Sequence, residues 1–72
     1  MSGFQPISYN GEVVALVVGG QAIVPKALPE PDRQTVKAMC LYALEVAAGA
    51  RPGPYTDEHA LDYARQAVQA GG

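Results

Sequence analysis

Residues 4–26 read FQPISYNGEVVALVVGGQAIVPK, and the punctuation of that stretch decides the fold. Three runs rich in β-branched and aromatic residues, FQPISY, EVVALVV and QAIVPK, are separated by Asn10-Gly11 and Gly19-Gly20. Both dipeptides accept the positive φ angles of a type I′ turn, which joins two antiparallel strands through a two-residue loop. The stretch is therefore expected to form a three-stranded antiparallel meander with Tyr9 opposite Glu12 and Val18 opposite Gln21. Plain alternation then puts Ile7, Val14, Leu16, Val18, Ile23 and Pro25 on one face, and Phe4, Pro6, Val13, Ala15, Val17, Ala22 and Val24 on the other. The first face carries the bulkier aliphatics and is expected to meet the helices. The second is also apolar, where a sheet covered on one side ordinarily turns polar. Pro6 and Pro25 fall on the two outer strands, so a partner is expected to stack on the sheet rather than to extend it.

Beyond the sheet, Ala27 to Glu30 reads as a connector and Pro31 as the first residue of a helix, with Asp32 in its first turn. That helix is expected over about 31–48, with Gly49 as terminator. At about 100° per residue, Val36, Met39, Cys40, Ala43, Leu44, Val46 and Ala47 share one broad face, and Lys37, Ala38, Leu41, Glu45 and Ala48 lie behind it. From Ala38 to Ala50 the only charge is Glu45, so this helix needs cover on more than one side. Arg51-Pro52-Gly53-Pro54-Tyr55 interrupts it. Thr56 then caps a second helix, expected over about 57–70, whose Ala60, Leu61, Ala64, Ala67 and Val68 form a stripe opposite Glu58, Asp62, Arg65, Gln66 and Gln69. The expectation is one small α+β domain over 1–72. Its order is βββαα: a meander followed by an αα-hairpin, with both helices on one sheet face.

Seventy-two residues lie near the size at which a single core only just outweighs chain entropy, so further stabilisation by a partner or a homodimer fits. Hydrophobic residues make up 49% and charged residues 17%, too apolar for intrinsic disorder. A net charge of −2, with five scattered Lys and Arg, leaves no surface to neutralise a run of phosphates, and argues against nucleic-acid or anionic-membrane partners. No apolar run approaches the roughly 20 residues of a bilayer span, and no signal-peptide pattern is present, so a cytoplasmic location is expected. Two Lys among many Ala, eight Gly and six Pro suit a GC-rich bacterium or its phage.

Little in the chain gathers reactive groups. The single cysteine, Cys40, lies mid-helix between Met39 and Leu41 on the core side, where burial raises a thiol pKa. His59 stands near Asp57, Glu58 and Asp62, a cluster that reads as a solvated acidic first turn rather than a metal site. No third group orients a Cys40–His59 pair, so catalysis is not expected, and neither is a cofactor. Gly19-Gly20 is followed by a strand and lacks the other glycines and the lysine of a phosphate-binding loop. Tyr9, Tyr42 and Tyr55 read as residues of the core margin, rings buried and hydroxyls wet.

Two resemblances concern Gly71-Gly72. Over about one sixth of the chain, ALVVGGQAIVPK (15–26) resembles the sulfur-carrier proteins of cofactor biosynthesis, and DYARQAVQAGG (62–72) resembles the end of the prokaryotic ubiquitin-like modifier. Both resemblances imply a carrier or modifier joined through its C-terminal glycine. The carriers are β-grasp proteins whose glycines follow a strand, whereas a helix precedes them here. A three-stranded sheet followed by helices also resembles, in architecture, the precursor-recognition domains of modified-peptide biosynthesis, which implies peptide recognition; a clear third helix is missing. The leading expectation is a non-catalytic protein-binding module, an inhibitor, regulator or accessory subunit. Its interface is expected at Phe4, Val13, Ala15, Val17, Ala22, Val24 and Leu41.

Overall fold

A computed structural model describes residues 4–25 and 27–71. Strands β1 (Phe4–Tyr9), β2 (Glu12–Val18) and β3 (Gln21–Ile23) form one antiparallel sheet in the order β1-β2-β3, and helices α1 (Asp32–Ala47) and α2 (Asp57–Gly71) follow. The βββαα architecture is the one expected. Asn10-Gly11 (φ 55° and 77°) and Gly19-Gly20 (φ 58° and 80°) are both left-handed, as type I′ turns require, and set Tyr9 against Glu12 and Val18 against Gln21.

Between those fixed ends the register departs from plain alternation. Ile7 pairs with Ala15 but Ser8 pairs with Val13, so Val14 is an extra residue in β2, a β-bulge. The physical reason is a parity conflict. In a two-residue hairpin the residues flanking the loop exchange hydrogen bonds, so Glu12 must face β1 and Val18 must face β3. Backbone groups alternate sides along a strand, and six steps separate Glu12 from Val18, which would aim both the same way. One extra residue resolves the conflict.

The bulge also exchanges the side-chain faces beyond it. Ile7, Val14, Ala15 and Val17 are buried against the helices, whereas Val18 and Ile23 are exposed and Leu16 is half-buried. Ala15 and Val17, expected on the outer face, are thus core residues; Leu16, Val18 and Ile23, expected to meet the helices, lie on the open face with Phe4, Pro6 and Val13. The ladder of β3 ends at Ile23, short of Val24 and Pro25. Positions 21, 23 and 25 share the backbone orientation toward β2, and Pro25 has no N–H to donate there.

Helix α1 starts one residue later than expected, with Pro31 preceding it across a cis Glu30–Pro31 bond. It ends in a Schellman arrangement: the Gly49 N–H donates to Val46 O (3.1 Å) and the Ala50 N–H to Glu45 O (2.9 Å), around left-handed Gly49. Val36, Met39, Cys40 and Ala43 are buried, as is Ala38, which helical spacing had placed behind; Ala47 is exposed. Ala38 lies one turn before Tyr42, whose ring meets Tyr63 of α2, so α2 covers the flank of α1 that carries Ala38 and Tyr42. Ala60 and Ala64 are wholly buried and let the helix axes approach closely. The His59 N–H donates to Thr56 Oγ1 at 3.1 Å, the expected cap of α2.

Candidate interaction surfaces

The two sheet edges differ. On β1, Phe4, Pro6 and Ser8 turn their backbone groups away from β2. Pro6 has no N–H, and the Ser8 N–H donates to Asp57 Oδ1 at 3.2 Å, so that edge offers little to another strand. On β3, Val18–Gln21 and Leu16–Ile23 are the bonded pairs, and Ala22 between them turns its N–H and C=O to the open edge. Pro25 directs its missing donor toward β2, so it does not block this edge as the sequence suggested.

Ile7, Val14, Ala15 and Val17 share one core with buried residues of α1 and with Ala60 and Ala64 of α2, so both helices lie on the same side of the sheet. On the other side, Phe4, Pro6, Val13, Leu16, Val18 and Ile23 form an apolar face with Ser8 and Gln21 as its polar members. Phe4 is 64% exposed, Val13 56% and Ile23 49%, and none of the described elements covers them. Of the seven residues expected at an interface, Phe4 and Val13 lie on this face and Leu41 is exposed on α1. Ala15 and Val17 are in the core. Ala22 and Val24 sit on the helix side, where β3 overhangs α1.

That overhang forms a groove of about 490 Å³ lined by Ala22, Val24, Ala27, Leu28, Arg33, Lys37 and Cys40. Its floor is apolar, and its two cations come from one side of α1, where residues 33, 37 and 40 follow one another at helical spacing. Arg33 makes an exposed 3.4 Å ion pair with Glu30. Cys40 is 3% exposed at the base of the groove, and burial pushes its thiol pKa up, away from the thiolate form.

Elsewhere the polar groups serve the fold. Asp57 Oδ1 accepts from the Ser8 N–H and, at 2.9 Å, from the Tyr55 hydroxyl, joining β1 to the start of α2. The Tyr9 hydroxyl donates to Asp32 Oδ1 at 3.1 Å. Arg51 pairs with Glu45 at 2.7 Å and lies over the rings of Tyr42 (5.1 Å) and Tyr63 (4.7 Å), closing the α1–α2 connection. His59 is exposed, and among the described residues no three His, Cys, Asp or Glu converge as metal ligands. Among the described residues no helix is long and apolar enough to cross a membrane. Gly71 closes α2, and Gly72 lies outside the described residues. Comparison with known proteins yields no matching family model, no matching curated protein and no matching solved structure.

Proposed function

We propose that this chain is a non-catalytic protein-binding module, an inhibitor, regulator or accessory subunit, that uses the open sheet face to engage a folded partner. One observation supports the reading: Phe4, Pro6, Val13, Leu16, Val18 and Ile23 lie together on one side of the sheet with no described element of the chain over them. Their removal from water is worth roughly 25 cal/mol per Å² and needs a surface of matching shape. With no charged residue among the face's side chains, no opposite charge is required of that surface.

The test is to replace Leu16 with Lys and Ile23 with Glu, separately and together, and to compare each variant with the wild-type chain. Photo-crosslinkers carried at Val13 and Val18 are activated in host lysate, and the products are identified by mass spectrometry. One partner crosslinked reproducibly by both positions, recombined as a purified complex and released at least tenfold by the double variant, is the expected result. A complex unaffected by the double variant would remove the sheet face from consideration. Sedimentation of the isolated chain shows whether a second copy occupies the same face.

A further inference from the structure

From the groove between β3 and α1 we infer a small-molecule site, one that takes a free straight-chain carboxylic acid of medium length, its carboxylate at Arg33 and Lys37 and its alkyl chain along the apolar wall. The groove lies on the helix side of the sheet and shares no residue with the open face, so this site and the protein-binding reading stand or fall separately.

Charge selects the head group. The chain has a net charge of −2 and five Lys and Arg in all, yet two of the five line this one groove. Arg33 stands in the first turn of α1, where the helix dipole opposes positive charge, and Lys37 follows at i+4, where like charges repel. A carboxylate bound between them relieves both penalties. Glu30 offsets Arg33 only through a solvated pair at 3.4 Å, with Arg33 64% and Glu30 53% exposed, and among the described residues Lys37 has no acidic partner. Shape and polarity select the tail. Apart from the Cys40 thiol the other lining side chains are aliphatic, and Val24 is still 42% exposed, so the wall suits a plain alkyl chain and penalises a tail that needs hydrogen bonds. At about 30 Å³ for a water-sized group such as a methylene, the groove's volume of about 490 Å³ takes roughly a dozen heavy atoms and a few waters. Arg33 and Lys37 precede Cys40 along α1, so the carboxylate sits toward the start of the helix and the chain runs toward the buried thiol.

The experiment titrates the isotope-labelled chain with decanoate, kept below its micelle-forming concentration, and follows the amide resonances. Saturable shifts at Ala22, Val24, Leu28 and Cys40 are the expected result. Arg33→Gln/Lys37→Gln, at two exposed positions, should weaken decanoate by about tenfold or more, the worth of a charge-assisted hydrogen bond. Decanol, which keeps the tail without the charge, should bind more weakly by a similar factor, and butyrate, which keeps the charge with little tail, should not saturate. Ala22→Phe fills the groove from an exposed strand position and should also weaken decanoate. Well-dispersed amide spectra verify that both variants fold. Leu16→Lys/Ile23→Glu should bind decanoate as the wild-type chain does, which keeps this test apart from that of the open face. Absence of saturation, decanol bound as tightly as decanoate, unchanged binding by the charge-neutralised variant, or shifts centred on Val13 and Val18 would overturn the inference.

Discussion

Gly53 shows how one missing side chain lets the connection between the helices pass close to α1. A Cβ built there falls 2.8 Å from Val46 Cγ1, and Val46 is β-branched and stiff at χ1. Gly53→Ala should therefore destabilise the fold by about 1–3 kcal/mol, measured by urea titration, and Val46→Ala in the same chain should recover part of that loss. Tyr55 gives a second prediction. Burial first, and then its hydrogen bond to Asp57, push its hydroxyl pKa well above the ordinary value of 10.0. In the unfolded chain the phenol ionises near pH 10 while the folded chain holds its proton, so the stabilisation is complete below pH 10 and is lost as pH rises beyond it. The free energy of unfolding, from urea titrations between pH 8 and 11.5, should fall more steeply for the wild-type chain than for Tyr55→Phe, by up to about 1.4 kcal/mol per pH unit. Tyr55→Phe itself should cost about 1 kcal/mol at neutral pH, since Asp57 loses a donor. The buried positions of Cys40 and Val36 were legible from helical spacing alone; the contact of Gly53 with Val46 was not, because it joins a loop to a helix through backbone geometry that composition does not encode.

At the scale of elements the decisive feature is the bulge at Val14. Both turns are written plainly as Asn-Gly and Gly-Gly, and with them the number of residues between, so the need for one extra residue in β2 was present in the sequence and missed by assuming plain alternation. The exchange of faces has a direct test. Val17→Thr places a hydroxyl among buried apolar groups and should cost about 1–3 kcal/mol, whereas Val18→Thr, on the open face, should stay within about 0.5 kcal/mol. Equal costs, or the reverse order, in chemical denaturation would mean that β2 presents the other face to the helices. The helices were easier to read. Their bounds came within a residue or two, because Gly49 and Thr56 are local signals acting through backbone groups a few residues away.

For the whole molecule the question is which surfaces remain after both helices settle on one side of the sheet. Leu16→Lys/Ile23→Glu should leave the melting temperature within a few degrees, since neither side chain belongs to the buried core, while abolishing any association that uses the face. Ile7→Ala, at a fully buried position, should cost about 2–5 kcal/mol, enough to unfold a marginal domain of this size. The contrast separates residues that the fold needs from those that the proposed interface would use. By itself the sequence determined the order of elements, the two hairpin turns and the helix limits. These rest on local backbone chemistry, namely glycine's access to positive φ, proline's missing donor and the caps at helix ends. It also determined that an apolar surface would be left over, because hydrophobic residues outnumber the positions one sheet face and two helices can bury. Only the tertiary structure decided which residues form that surface. The bulge could sit at more than one place in β2, and packing of Ile7, Val14, Ala15 and Val17 against α1 and α2 selects Val14. The same packing leaves β3 overhanging α1, which opens the groove at Arg33 and Lys37 and frees the Ala22 edge.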